Sequence, residues 1–243
     1  MKSVSEIIKR TVDGKEYEIQ VFYTKAKNVY LTYDNGIFSL RGAFYNLSGP
    51  LFETFLIKSM KKQIKKEGFK KTYGSKQKLG IDFDNQTFYY FGQKVNFSIN
   101  DYSISIFSSE NELIDYIKKP KNKNTVLEIT SLINNHADKK LKMIFEKYAN
   151  EASLLILKTY EKLTFIVRNK KNTWATINTS NNKININSDL KYFSEDLIKY
   201  VAYHEIAHKL EHNHGPKFWN IVKKFIPDYK IKIFKLNNYI IDK

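Results

Sequence analysis

A chain of 243 residues with 42% apolar and 15% aromatic content can bury the core of one large domain or two small ones. It contains no cysteine, which excludes thiolate metal cages, cysteine nucleophiles and disulfide frameworks and leaves His, Asp and Glu as the strong metal ligands. Its formal charge of +16, with a pI near 9.6, excludes a strongly acidic surface and favours an anionic partner such as nucleic acid or nucleotide.

The first ten residues, Met1 to Arg10, mix charged and apolar side chains, and no run approaches the roughly 18 apolar residues of a membrane span. A soluble cytoplasmic protein is expected. From Glu16 to Leu40 apolar residues alternate, with Asp34-Asn35-Gly36 as a hairpin turn, which predicts a small antiparallel sheet. Ser48-Gly49-Pro50 then starts an amphipathic helix carried by Leu51, Phe52, Phe55, Leu56, Ser59, Met60 and Ile64 up to Gly68. Its other side holds Lys61, Lys62, Lys65 and Lys66, followed by Lys70 and Lys71, and reads as a solvated face. The wider positive charge is nearly all Lys, with Arg only at positions 10, 41 and 168, as AT-rich coding would give without selection for binding.

Further strands are expected at Thr87 to Phe91, Val95 to Ile99 and Tyr102 to Phe107, and a short helix at Glu110 to Ile117. The charged stretch Lys118 to Lys123, with Pro120, suggests a boundary between an N-terminal β-rich accessory region (1–120) and a second domain (121–243). Thr125 to Glu128 has capping-box spacing and opens a long helix through Ile129, Ile133, Leu141 and Phe145, with His136 on its apolar stripe as a hydrogen-bonded packing residue. Strands at Leu163 to Val167, Thr173 to Ile177 and Lys183 to Ile186 precede a helix capped by Ser194 and running to Leu210 or Glu211, with Ile198, Ala202, Ile206 and Leu210 on its core side.

That last helix carries His204-Glu205-Ile206-Ala207-His208. Residues four apart project from one side, about 6 Å apart along the axis, so two imidazoles can share one ion. Glu205 lies about 100° around, as suits a base that reaches a water at the metal without being a ligand. Candidates for a third ligand are Glu211, His212, His214 and Asp228. An unbroken helix would carry His212 about 12 Å from His204. If the helix ends near Glu211 to Asn213, as Gly215-Pro216 signals, His214 folds back to the ion and is the choice.

The segment from His204 through Asn213-His214-Gly215 and Phe218-Trp219 to Ile226-Pro227-Asp228-Tyr229 resembles the YgjP-like metallopeptidase family, related to the SprT and WLM groups. Thr173-Trp174-Ala175-Thr176 stands where that family has Trp-Gly-Ser-Cys, and only the Trp is kept. The resemblance implies an α+β fold with a zincin-like catalytic domain, zinc held by His204, His208 and His214, and Glu205 as general base for a zinc-bound water. Peptide hydrolysis follows, with substrates that are nucleic-acid-associated proteins in keeping with the related groups. Tyr203, Tyr192 and His212 are candidate oxyanion donors. Trp174 reads as core or cleft lining, Phe218 and Trp219 as core, and Asn213 as a helix cap or a support for His214. Two other classes compete: a zinc-dependent hydrolase of nucleotide phosphoanhydrides, for which no phosphate-cradling glycine loop is present, and a metal-stabilised nucleic-acid-binding module, which would have no use for Glu205.

Overall fold

The computed structural model describes residues 5–25, 28–34, 37–43, 49–73 and 79–241. Its architecture is mixed α/β, with three small sheets and five α-helices among the described residues. The chain divides into two compact units, residues 1–75 and 76–243.

In the first unit, β1 (Glu6–Val12) and β2 (Lys15–Tyr23) form an antiparallel hairpin. Asp13 and Gly14 turn it at φ of 49° and 80°, the left-handed pair that such a two-residue loop requires. β3 (Tyr30–Asp34) pairs antiparallel with β4 (Ile37–Gly42), but β4 lies parallel to β2, in the order β1-β2-β4-β3. The expected all-antiparallel sheet is therefore corrected to a mixed one. Alternation fixes which face of a strand is buried and leaves its neighbour and direction open. The Asn35-Gly36 turn and the Ser48 helix start lie outside the described residues. α1 (Pro50–Tyr73) runs past Gly68 and lays Phe52, Leu56 and Met60 over Ile19, Val21, Phe38 and Leu40. Arg10 clamps it to β1 with two hydrogen bonds to Glu53, at 2.6 and 2.9 Å. Lys61, Lys62 and Lys65 are exposed, whereas the side chains of Lys66, Lys70 and Lys71 lie outside the described residues.

The second unit opens with an antiparallel meander, β5 (Thr87–Tyr90), β6 (Gln93–Ile99), β7 (Ser103–Phe107) and β8 (Leu113–Lys118). β8 replaces the helix expected at Glu110 to Ile117. Its pairing with β7 buries Ile117 and leaves Leu113 and Tyr116 exposed, an edge-strand pattern too short to tell from a helical one by sequence. The Lys118 to Lys123 stretch falls within this unit. Lys119 is buried there and donates to the Lys123 carbonyl and the Asn124 side chain, closing a turn.

α2 (Val126–Ala152) starts at the expected capping box. Thr125 Oγ1 accepts from the Glu128 N–H, and Glu128 accepts from the Thr125 N–H. Its first half, with Ile129, Ile133 and Ala137, packs on the meander. Its second half, with Leu141, Phe145 and Ala149, enters the larger core formed with the third sheet and the last helices, so residues 76–120 share a helix with the metal-bearing segment. The third sheet has β11 (Lys183–Asn187) between a parallel β9 (Thr164–Arg168) and an antiparallel β10 (Ala175–Asn178). Among the described residues, β10 and β9 are its two edge strands.

A 3-10 turn, Ser188–Tyr192, leads into α3 (Glu195–Ala207), followed by α4 (Pro216–Phe225) and α5 (Tyr229–Asn237). α3 is pinned around its circumference. Tyr203 and Lys199 donate to Glu151 of α2 at 2.6 and 2.9 Å, Tyr148 donates to Glu195, and the buried Lys232 of α5 pairs with Asp196. At its start, Gly92 (φ +88°) lies so close that a Cβ there would stand 2.8 Å from Ser194 Cα, which only glycine permits.

Candidate metal centre

α3 ends at Ala207, with His208 as its cap, one turn short of the expected Leu210 or Glu211. The Glu211 carbonyl is the reason visible in the geometry. His208 Nδ1 lies 3.1 Å from it, drawing the chain back across the helix end, while Leu210, expected in the core, is 52% exposed. Asn213 accepts from the Gly215 N–H through its main-chain carbonyl, and the chain then enters α4 with Pro216 in its first turn.

This early stop brings His214 back to His204 and His208. One ligand nitrogen from each of the three lies within 4.8 Å of the others, and the Nε2 atoms of His204 and His214 are 3.0 Å apart. His212 lines the same cleft but stands outside this cluster. Two of the rings are oriented from behind. Tyr200 Oη is 3.3 Å from His204 Nδ1, and the Glu211 carbonyl holds the Nδ1–H of His208, so both Nε2 atoms face the common point. Phe218, fully buried, wedges against the rings of His204, His208 and His214 at centroid distances of 4.5–4.8 Å. Trp219 stacks on His214 at 5.6 Å and on Tyr229 at 5.0 Å. Phe218 is thus core, as expected, but Trp219 also lines the cleft.

Burial pushes the His204 pKa down to about 3, and the neighbouring His208 and His214 push in the same direction. His208 is lowered by burial too, against the Glu211 carbonyl, which favours its proton. Neutral imidazoles are what a metal ion needs, since protonated rings cannot coordinate. Glu205 is 5% exposed, and its pKa is raised to about 7 by loss of solvent, opposed by the Ile177 N–H and by the charge of Lys170. A buried carboxylate poised near neutrality suits a proton acceptor.

The cleft is a cavity of about 820 Å³ between β10 and α3. His204, Glu205, His208 and His214 line it, together with Trp174 to Ile177 at and within the edge strand and Ile233 and Leu236 of α5. Of the three oxyanion candidates, only His212 borders it. Tyr203 is 1% exposed with its hydroxyl committed to Glu151, and Tyr192 packs beneath Lys191. Tyr200, the Glu211 carbonyl, the Ile177 N–H and Lys170 were missed by sequence reasoning. Tyr200 alone carried a signal there, standing four residues before His204 on the same helix face.

Among solved structures, the chain is similar to the metallopeptidase zymogen abylysin of Pyrococcus abyssi, with 22% identity over 38% of this chain and 90% of that one and a TM-score of 0.34. It is similar also to the metallopeptidase zymogen jannalysin of Methanocaldococcus jannaschii, with 24% identity over 38% of this chain and 85% of that one and a TM-score of 0.33. No curated protein matches. The model of the YgjP-like metallopeptidase domain matches residues 45–239, a span that takes in α1, the cleft and all three clustered histidines. On that match, which covers well over half of the sequence, the chain belongs to the YgjP-like metallopeptidase family.

Proposed function

We propose that this metallopeptidase is a zinc enzyme of zincin type, in which His204, His208 and His214 hold the metal and Glu205 is the general base. The observation that carries this reading is the convergence of three imidazoles beside a buried carboxylate, in a cleft bordered by an edge strand. The donor set fits zinc. Two nitrogens bound tetrahedrally at about 2.0–2.1 Å would be roughly 3.3 Å apart, close to the 3.0 Å between His204 and His214.

Zinc bound there would supply Lewis acidity towards a peptide carbonyl and make water acidic enough to attack near neutral pH. Glu205 takes the proton of the attacking water on its carboxylate and passes it to the departing amine nitrogen. Its burial among apolar neighbours keeps the proton affinity high enough for the second transfer, and the Ile177 N–H holds the carboxylate in place. Tyr200 and the Glu211 carbonyl orient two ligand rings. A peptide lying along β10 in extended form finds main-chain partners there, as strand addition requires. The charge of +16 suits protein substrates held on nucleic acid, and no described helix is long and apolar enough to cross a membrane.

The test is incubation of the zinc-loaded protein with an unfolded protein, alone and with single-stranded DNA, and separately with nucleoside triphosphates, beside Glu205→Gln. Fragments from the wild type and none from the variant, both carrying zinc, are expected. Release of pyrophosphate without peptide cleavage would contradict the reading.

A further inference from the structure

We infer that Lys209, clamped between Glu161 and Asn182, is a positioning residue for the metal. It fixes the point at which α3 ends, so that a turn leading to His214, and not a further turn of helix, follows His208. This rests on the ligand set of the metallopeptidase reading and adds to it the residues that hold that set in register.

Local preference runs the other way. Lys209, Leu210 and Glu211 are all good helix formers, with no glycine, proline or β-branched residue among them. Leu210 also continues the four-residue series of Ile198, Ala202 and Ile206, all of them fully buried. A helix continued through this segment would turn Leu210 to the core and add about 1.5 Å per residue along the axis away from His204. Instead α3 stops at Ala207, and the Lys209 and Leu210 N–H groups donate to carbonyls only three residues back, those of Ile206 and Ala207. Leu210 is left 52% exposed. A hold from outside the segment offsets these preferences.

That hold is a closed triangle of side chains. Lys209 Nζ donates to Glu161 Oε2 at 2.9 Å and to Asn182 Oδ1 at 2.5 Å, and Asn182 Nδ2 donates to the same Glu161 oxygen at 2.9 Å. The Lys209 and Glu161 side chains are 14% and 23% exposed, so water and salt screen the pair weakly. Its anchor is the third sheet. Glu161 precedes β9, Asn182 directly precedes β11, and the Asn182 carbonyl accepts from the Thr164 N–H of β9. Asn182 stands at φ +54°, in the left-handed region that asparagine enters more readily than most residues. The clamp thus ties the turn to the sheet, while the Glu211 carbonyl at His208 Nδ1 ties it to a ligand ring. None of the three clamp residues lines the cleft, so they act on the metal only through the turn.

The test compares the full chains of wild type, Lys209→Met, Asn182→Gly and His214→Ala. Zinc affinity is read by competitive chelator titration, ligand geometry by the visible spectrum of the cobalt(II)-loaded protein, and stability by urea unfolding of the metal-free protein. Met keeps the apolar stem of Lys209 and removes the ammonium, and Gly accepts the positive φ of position 182 while removing the amide. Lys209→Met should weaken zinc binding about ten-fold or more and change the cobalt bands. Asn182→Gly, which leaves the Lys209–Glu161 pair, should show a smaller loss in the same direction. A lower urea midpoint in Lys209→Met with zinc affinity and cobalt spectrum unchanged would overturn the positioning role and leave the ligand set standing. Should Lys209→Met fail to fold, wild-type zinc affinity and cobalt spectrum in Asn182→Gly would overturn it. Zinc affinity in His214→Ala equal to the wild type would overturn the ligand set itself.

Discussion

The second unit holds two polar clusters built around partly buried histidines, and they are opposites. Around His136, one carboxylate satisfies everything: Asp115 accepts from the Tyr90 hydroxyl at 2.6 Å and from Lys140 at 3.0 Å, and lies 3.0 Å from His136. Burial would raise the pKa of Asp115, but the hydrogen bonds from Tyr90, His136 and Lys140 outweigh it and hold the group below the usual carboxylate range. Around His204, no carboxylate joins the three imidazoles, burial lowers the proton affinity of His204 and His208, and the acid beside them, Glu205, is raised to about 7. A cluster whose charges are already matched contributes stability. A cluster of donors facing one another, with an acid kept short of partners, is arranged for something it must bind.

Several experiments break or sharpen that contrast. Glu205→Gln should reduce peptide hydrolysis by about 10²–10⁴-fold while zinc content stays at the wild-type level, as measured by single-turnover kinetics and metal analysis. The same substitution should stabilise the metal-free protein. At pH 3 the carboxyl is neutral folded and unfolded, so nothing changes. Between the ordinary value of 4.5 and the folded value of about 7 the unfolded chain ionises first, and wild-type stability falls as pH rises. At pH 8 the variant should lead by up to about 3 kcal/mol in urea unfolding.

Asp115→Asn should behave in the opposite sense, costing about 2 kcal/mol near neutral pH and leaving zinc affinity unchanged. Because the folded pKa of Asp115 is depressed, its stabilisation is complete above the ordinary carboxylate range and is lost as pH falls below it. The gap between variant and wild type should therefore close in acid. The smallest effect is expected for Tyr200→Phe, which removes the partner of His204 Nδ1 and should weaken zinc binding about ten-fold in a competitive chelator titration, with the unfolding midpoint of the metal-free protein little changed.

How far each cluster could be read from sequence depends on which atoms build it. Side-chain spacing announced His204, Glu205 and His208, and the Gly215-Pro216 turn signal separated His214 from His212. Main-chain partners carry no such mark, so the Glu211 carbonyl and the Ile177 N–H were invisible, and with the former the early end of α3. Proximity in sequence misled for Tyr203: one residue from His204 is about 100° around the helix, which turns its hydroxyl towards α2 and Glu151. Thr125 to Glu128 marked the start of α2 because a capping box is local. The strand β8 and the parallel pairing of β2 with β4 depend on partners distant in sequence, and no local pattern specifies them.

The central claim is that three imidazoles, and not the nearby His212, hold one metal ion. Metal analysis of the purified protein after zinc loading and removal of excess ion tests it directly, in the wild type, His214→Ala and His212→Ala. One zinc per chain in the wild type and in His212→Ala, with loss in His214→Ala, is the predicted result; equal zinc in wild type and His214→Ala, or loss in His212→Ala alone, would contradict it.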